Sequence, residues 1–455
     1  MSKYNLKQKL LLLLFLLLPF VDLVTALTTR FGIVSVSLGV IIKGIALAAS
    51  LIYVIGFSKN KYRKLTLFYL LSVAVFAGGY LLTKPDILSL SSLATEITYA
   101  FKFLFLPVMM ICLYHIFCDF DIKAKDIKYV ILINSLVYSA LVIVPYFTNT
   151  GFGTYGVDLS KGTLGWFYAG NEIGSILVLL SISVLSFMNN EKKWMVILSI
   201  PVIYAATIIG TKVAYLGIMI AIIIVILAFV IGTKKNRFLL PGFVLVILII
   251  FCMNSLALWN MEAKFGKLHG TYYVVSETEV AIPIAATQTQ VRVPTATPSE
   301  NTEYIKAFIS ENEILAKLNR ITDTRLFMFF ENYIPYEKAG ISTKLLGLGF
   351  APRTAIQYTY SRKLVEIDIL DIWLHYGIIG FFLYFAPFIF LTYKLICNRK
   401  KVSTDSFAHL MVALLGFGIS CIAGHVLGAP PVSIYLILLI LVAIRQTEEA
   451  YPIKA

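Results

Sequence analysis

Long apolar runs constrain this chain more than any other feature of its sequence. Residues 10–18, 213–231 and 243–258 approach the roughly 20 apolar residues that a helix needs to cross about 30 Å of hydrocarbon. Because hydrocarbon offers the backbone no water to bond, such runs must be helices that satisfy their own hydrogen bonds. The chain is 59% hydrophobic and 14% charged, far from the balance of soluble proteins. The sequence therefore predicts an all-α, polytopic membrane protein.

The apolar runs predict about twelve membrane-spanning helices. The predicted spans are 10–27, 32–57, 65–82, 97–118, 129–147, 173–188, 195–210, 213–232, 239–259, 369–393, 406–427 and 431–445. They divide the chain into nine helices within residues 1–259, one large loop at 260–367, and three more helices within 368–455.

Basic residues concentrate in alternate loops, at 59–64, 192–193, 234–237 and 394–401. Loops rich in lysine and arginine stay in the cytoplasm, so both termini are expected there and the large loop on the extracytoplasmic face. The same loops account for much of the net charge of +14 without a nucleic-acid partner. The five cysteines have no metal-binding spacing.

The large loop has two chemically different parts. Residues 272–298 are rich in Thr, Val and Pro, which predicts an extended segment. Between residues 301 and 333, apolar residues such as Ile305 and Ile309 recur at helical spacing among charges. This second pattern predicts amphipathic helices that lie on the membrane face.

Ionisable residues are rare within the predicted spans. Lys43 lies in the middle of the second span, among apolar neighbours. A charge in hydrocarbon is costly unless it is paired or faces a polar cavity, so Lys43 should have an acidic partner or an anionic ligand. A lysine that snorkels or helps to pack helices is the alternative. Lys102 lies about one turn inside the outer end of the fourth span, where snorkelling is easy.

Two loops predicted to face outward carry polar residues beside aromatic ones. Trp166, Tyr168 and Asn171 precede the sixth span, and Lys212 lies in the turn between the seventh and eighth spans. A lysine in such a turn can meet an anionic headgroup. The alternative is anchoring at the membrane interface, for which aromatic residues are well suited.

Charged residues of both signs concentrate towards the end of the large loop. Arg325 and Arg353 are followed by Glu366, Asp368 and Asp371 at the start of the tenth span. The spacing of three between the two aspartates places them on one helix face. A solvated helix start is the simple alternative, because acids suit the positive end of a helix dipole.

These clusters resemble, in order along the chain, four elements of the O-antigen ligase and O-antigen polymerase (Wzy-like) superfamily of bacterial envelope glycosyltransferases. Residues 165–171 are similar to the Gly-x-Phe-x-x-x-Asn element, and Lys212 in 210–212 takes the position of a Ser-Arg pair. Arg325 with Phe329 is similar to Arg-x-x-x-Trp, and residues 346–349 match Leu-Gly-x-Gly. Ligases of the family have His-Asn eleven residues before the Gly-x-x-Gly of the next span.

In this sequence the position eleven residues before Gly377 is Glu366, followed by Asp368. This Glu-x-Asp resembles a variant of polymerase-type members. It favours chain polymerisation, or transfer to another acceptor, over the ligase reaction onto lipid A core.

The resemblance implies a GT-C-type glycosyltransferase in the bacterial cytoplasmic membrane, without metal or other cofactor, acting on glycans carried by undecaprenyl diphosphate. It implies Glu366 as general base, because an acceptor hydroxyl is a poor nucleophile, and Asp368 as the residue that orients Glu366 or the acceptor. Arg325, Lys212 and Arg353 would bind the diphosphate, whose charge grows as the bond breaks. Membrane lipid and other polysaccharide-assembly proteins are the expected partners.

Two other classes of membrane protein compete with this interpretation. A transporter or flippase for lipid-linked glycans also fits twelve spans with both termini inside, and Lys43 could line its path. Such carriers place their longest connection in the cytoplasm near the middle of the chain, whereas this chain places it outside after the ninth span. A membrane acyltransferase would need a catalytic histidine, for which His375 is the nearest candidate.

Overall fold

The computed structural model describes residues 4–33, 37–84, 90–154, 161–190, 197–232, 251, 255–260, 300–322, 324–350, 364–398, 402–424 and 426–450. The first nine helices within these residues are α1 (Leu6–Leu16), α2 (Leu18–Arg30), α3 (Leu38–Gly56), α4 (Arg63–Leu82), α5 (Leu90–Asp119), α6 (Ala124–Phe147), α7 (Gly170–Asn190), α8 (Ser199–Ile208) and α9 (Lys212–Gly232). The others are α10 (Glu300–Glu311), α11 (Glu313–Ile321), α12 (Arg325–Lys338), α13 (Ile341–Leu346), α14 (Asp368–Cys397), α15 (Thr404–Ser420) and α16 (Pro430–Ala450). An antiparallel hairpin of β1 (Phe152–Gly153) and β2 (Thr163–Gly165) lies between α6 and α7.

The helices confirm an all-α membrane architecture. Six described helices, α3, α4, α5, α6, α14 and α16, are long and apolar enough to cross a membrane. Helices α1 and α2 are bent by 42° relative to each other; if they form one broken span, the described residues contain up to seven candidate spans. Shorter apolar helices α7, α8, α9 and α15 occupy four further predicted spans. Twelve spans remain a prediction, and most of the ninth, 239–259, lies outside the described residues.

Burial separates central helices from peripheral ones. In the most apolar 18-residue segment of α16, 89% of the residues are buried inside the protein. The corresponding segment of α4 has only 17% of its residues buried. The exposed apolar side chains of α4, such as Phe68 and Leu71, are therefore left to face lipid. Since lipid is as apolar as leucine, helices in a membrane associate through close packing and buried polar contacts. Buried ion pairs supply two such contacts, Lys43 with Asp22 and Lys128 with Asp405.

Both ends of the described chain lie at one end of the helix bundle, called here the terminal end. The Tyr4 hydroxyl donates to Asp126 at 2.6 Å, and Arg445 Nε donates to the Ile122 carbonyl at 3.1 Å. Helix α6 runs from this end to Phe147, after which the hairpin follows at the opposite end. That opposite end, called the loop end, also carries α10 to α13. The first and last described residues thus lie at the same end of the helix bundle.

Which end faces the cytoplasm is a prediction that cysteine labelling can test. In a variant lacking the five native cysteines, we expect Asn312→Cys at the loop end to react with an impermeant thiol reagent in intact cells. Lys61→Cys, in a basic loop between α3 and α4, should react only after lysis. Both positions are exposed, so accessibility to water is matched. Labelling of Lys61→Cys alone in intact cells would reverse the orientation.

The second part of the large loop is helical, as its periodicity predicts. Ile305 and Ile309 of α10 are buried, while Phe308 and Leu318 remain more than 40% exposed. The predicted extended segment 272–298 lies outside the described residues. Helices α10 to α13 therefore form a layer at the loop end that precedes α14.

Two glycine motifs fasten this layer to α14 through direct backbone contact. The backbone N–H of Leu348 donates to the Leu374 carbonyl at 2.9 Å, and that of Gly349 donates to the His375 carbonyl at 3.1 Å. Gly347 (φ 86°, ψ 170°) and Gly377 (φ 66°, ψ −172°) occupy a backbone region that essentially only glycine adopts. A Cβ on Gly377 would lie 2.5 Å from the Leu345 carbonyl oxygen.

We expect Gly377→Ala to destabilise the protein, because the alanine would be strained at this φ and would push the loop away from α14. Backbone strain of this kind costs about 1–3 kcal/mol. The matched control is Gly340→Ala in the same loop, where φ is −65° and a Cβ would meet nothing within 4 Å. Thermal unfolding of the detergent-purified variants measures the difference. Equal midpoints for the two variants would contradict the prediction.

Candidate active site

A cavity of about 500 Å³ opens between α2, α3, α5, α7, α14 and the start of α16. Its volume lies within the range of small-molecule binding sites. The residues that line it and carry polar or aromatic groups are Asp22, Thr25, Thr29, Ser37, Lys43, Tyr99, Lys102, Phe103, Phe167, Tyr168, Glu172, Glu366, Asp368 and Asp371. The cavity thus brings together the acidic series of the tenth predicted span and the mid-span lysine of the second.

Glu366 is held in an unusual backbone conformation at this cavity. Its φ of 60° is left-handed, which costs energy for a residue other than glycine or asparagine. Asp371 stabilises the turn by accepting the N–H groups of Val365 (2.9 Å) and Glu366 (3.1 Å). Gly424 lies so close to the Glu366 carbonyl that a Cβ there would overlap with it. Strain maintained by its surroundings is typical of functional positions.

Arg325 contacts Glu366 from the first residue of α12. Its Nη2 lies 3.3 Å from Glu366 Oε2, and its Nε donates to the Glu366 carbonyl at 3.1 Å. Further bonds reach the carbonyls of Thr322 (3.2 Å) and Ala423 (3.4 Å). The arginine side chain is 10% exposed and that of Glu366 is 33% exposed. The structure therefore joins the expected base to one expected diphosphate-binding cation.

Lys212 lies close enough to Arg325 for the two positive charges to repel each other. It precedes the predicted eighth span and is half-buried. Burial lowers the pKa of its ammonium group, and the nearby positive charge of Arg325 lowers it further. Two cations that repel each other in this way form a place where an anion would be stabilised. The third expected cation, Arg353, lies outside the described residues.

Asp368 holds a neighbouring turn. Its Oδ2 accepts the backbone N–H groups of Val426 (2.8 Å) and Leu427 (2.6 Å), and the residue is 3% exposed. These bonds fix the segment before α16 beside the cavity. Asn171 is half-buried at the second residue of α7, next to Glu172, and Glu172 is the one of the two that lines the cavity.

The partner that Lys43 requires is Asp22 of α2. The two side chains form a buried ion pair at 2.5 Å, and the Tyr138 hydroxyl donates to the second oxygen of Asp22 at 2.6 Å. Asp22 was identifiable in principle, because a lone acid within the first apolar run is costly without a partner. The sequence analysis identified Lys43 as a residue that needs a partner, but it did not identify Asp22 as that partner.

Aromatic packing places the end of the Leu-Gly-x-Gly turn against the cavity wall. The Phe350 ring stacks on Tyr99 at 4.7 Å and on His375 at 4.3 Å between ring centroids. His375 is buried, and its Nδ1 lies 2.7 Å from the Gly349 carbonyl. Its Nε2 lies 3.6 Å from Asp371 Oδ1, so His375 connects the loop attachment to a cavity residue without being among the residues that line the cavity.

The cavity is also lined by Lys102, Tyr168 and Glu172. The sequence analysis did not predict a site role for any of these three residues. The sequence predicted snorkelling for Lys102 and interface anchoring for Tyr168, and each prediction considered one side chain alone. The structure places both in the lining of the cavity that Glu366 also lines. No local signal marks that convergence, since the residues come from α5, the turn before α7, and the turn before α14.

Comparison with known families agrees with this arrangement. The family model described as O-antigen ligase like membrane protein matches residues 4–449, nearly the whole chain. No individual curated protein matches closely enough to be compared with it. The match spans the first helix, the loop layer, the cavity residues and the last helix. The chain therefore belongs to the O-antigen ligase-like family of membrane proteins.

Proposed function

We propose that this protein is a polymerase-type glycosyltransferase that joins undecaprenyl-diphosphate-linked oligosaccharide units into a cell-surface polysaccharide. Its family is one of membrane enzymes that act on lipid-linked glycans. The observation that carries the proposal is the position of Glu366, which lines the cavity and whose carboxylate is paired with Arg325. A base and a cation in contact are what a transfer from a diphosphate leaving group requires.

In the proposed reaction, Glu366 takes the proton of an acceptor hydroxyl held in the cavity. The hydroxyl oxygen attacks the anomeric carbon of the donor sugar, and the bond from that carbon to the diphosphate oxygen breaks. The electron pair leaves with the lipid diphosphate, whose growing charge Arg325 and Lys212 stabilise, with Arg353 as a further cation. Asp368 acts as a positioning residue through the turn at 426–427.

The contact between Arg325 and Glu366 couples protonation of the base to stabilisation of the leaving diphosphate. When Glu366 accepts the proton it loses its negative charge, so the ion pair with Nη2 weakens. The guanidinium then has a donor available at the moment when the diphosphate gains charge. Planar guanidinium groups bind phosphate oxygens in pairs, which a lysine does not do.

Polymerisation is favoured over the ligase reaction by the residue at position 366. Ligase-type members resemble this chain elsewhere but have histidine where Glu366 stands. The same cavity would also serve a ligase that uses a surface acceptor other than lipid A core, since the identity of the acceptor decides between the two reactions.

The direct test supplies purified protein in lipid nanodiscs with the lipid-linked oligosaccharide unit, in the presence of EDTA. We expect a ladder of products that differ by one repeat unit, formed without a metal ion. Loss of activity with EDTA, restored by a divalent cation, would overturn the expected metal independence. A single addition to a second acceptor would identify a ligase. Movement of the substrate across a bilayer without bond formation would identify a flippase.

A further inference from the structure

The deep end of the cavity holds polar groups that the proposed mechanism does not use. Lys43 and Asp22 both line the cavity, and each is less than 9% exposed. Asp22 lies eight residues before the end of α2 at Arg30, about 12 Å along the helix at 1.5 Å per residue. Glu366 lies two residues before α14, at the loop end. The ion pair therefore lies deeper in the same cavity than Glu366.

The hydrogen bonds at this end leave donors of Lys43 available. Asp22 is satisfied on both oxygens, by Lys43 at 2.5 Å and by the Tyr138 hydroxyl at 2.6 Å. An ammonium group has three N–H donors, and Asp22 accepts one of them. Within the ranges that the structure describes, no other group is within hydrogen-bond distance of Lys43 Nζ. A ligand in the cavity would supply the missing acceptors.

The charge of this end selects the chemistry of that ligand. A lone lysine would attract an anion, whereas Lys43 is neutralised by a carboxylate in direct contact. The pair therefore offers N–H donors without net charge, which suits the hydroxyl or carbonyl oxygens of a neutral sugar. Tyr99, Phe103 and Phe167 line the cavity. Aromatic walls with a few fixed polar groups are the usual composition of a small-molecule site.

Size and position limit which part of the substrates reaches this end. A volume of about 500 Å³ accommodates a short oligosaccharide but not a long polyprenyl chain as well. Among the described residues, Arg325 and Lys212 do not line the cavity, whereas Glu366 does. The diphosphate would therefore approach Glu366 from the side of the two cations, and the acceptor from the cavity.

We propose that Lys43, held in place by Asp22 and Tyr138, forms a subsite for a neutral terminal sugar of the acceptor glycan. This inference rests on the proposed function, because it assigns the cavity to the acceptor. Lys43 donates to sugar oxygens and Asp22 fixes the direction of its donors. By holding the terminal sugar, the subsite sets which hydroxyl of the acceptor glycan lies beside Glu366.

The test measures binding of the oligosaccharide repeat unit released from its lipid diphosphate by mild acid. The probe carries neither phosphate nor lipid, so it reports on the sugar subsite alone. We expect saturable binding to the purified full-length protein, and binding at least about tenfold weaker to the double variant Asp22→Asn/Lys43→Met, because a charged hydrogen bond is lost. Changing both residues avoids leaving one buried charge unpaired.

The chain supplies a matched control at the terminal end. Lys128 and Asp405 form a buried ion pair at 2.7 Å and do not line the cavity. The double variant Lys128→Met/Asp405→Asn removes an equivalent pair, so it controls for general destabilisation and should bind the probe as the wild type does. Lys43→Arg retains the ion-pair charge but fills the deep end with a larger group. It should also weaken binding, and it tests the subsite even where the double variant fails to fold.

Three outcomes would overturn the subsite. They are no saturable binding to the wild type, unchanged binding in both Lys43 variants, and equal losses in the cavity variant and its terminal-end control. The polymer assay with lipid-linked substrate tests the proposed function separately. Probe binding without polymer formation would reject the polymerase and retain the sugar subsite. Polymer formation with unchanged probe affinity in the Lys43 variants would reject only the subsite.

Discussion

Glu366→Gln should reduce polymer formation by about 10²- to 10⁴-fold, the usual cost of removing a general base. Glutamine has almost the same shape as glutamate and cannot accept a proton at neutral pH. Its amide oxygen can still face Arg325, so the left-handed turn and the Asp371 cap should persist. The measurement is the initial rate with lipid-linked oligosaccharide, accompanied by the affinity for that substrate. We expect the rate to collapse while the affinity changes little.

The control for this variant is Glu313→Gln in α11, an exposed carboxylate of the same loop layer. It should retain full activity. Asp368→Asn should have a smaller effect than Glu366→Gln, since the asparagine oxygen can still accept the N–H groups of Val426 and Leu427. If Glu366→Gln is fully active and Asp368→Asn is inactive, then Asp368 is the general base and Glu366 has the positioning role. If both variants are fully active, the acidic series is a helix cap only.

The second large effect is expected for Arg325→Lys, which preserves the charge. The guanidinium bonds to Glu366 and to the carbonyls of Thr322 and Ala423 from separate nitrogens. A lysine ammonium is a compact point charge and lacks the planar fork. We therefore expect at least a tenfold loss of turnover, because both the placement of Glu366 and the paired contacts to the diphosphate are lost. Arg325→Ala should be more severe.

The control is Lys317→Ala, which removes the positive charge of an exposed lysine in α11. It should behave as the wild type in turnover and thermal stability. Equal protein levels in the membrane must be shown for every variant. Wild-type polymer output from Arg325→Ala at an equal protein level would remove Arg325 from the site.

The fold could be predicted where the signal is local in sequence. Apolar runs identified the spans that the structure describes, and helical periodicity identified α10 to α12. The bend between α1 and α2 follows from Pro19, which cannot donate a backbone hydrogen bond in the ladder. It was not predicted, because the run 10–27 reads as one uninterrupted apolar segment.

The candidate site could be predicted only in part, because its geometry depends on contacts between distant segments. Arg325 and Glu366 were singled out separately, yet their contact joins residues 41 positions apart. The carbonyl of Glu366 packs directly against Gly424, which no local pattern connects with it. The need of Lys43 for a partner was predictable from the cost of a buried charge, whereas the identity of that partner required the packing of α2 against α3.

The bonds of Arg325 connect the geometry of the candidate site to the order in which the chain is synthesised. Its guanidinium bridges Thr322 in the loop layer, Glu366 before α14 and Ala423 after α15. Ribosomes deliver these segments in that order, and Ala423 emerges 57 residues after Glu366. An unfinished chain that lacks Ala423 therefore lacks one of the carbonyl groups that hold the Arg325 guanidinium beside Glu366.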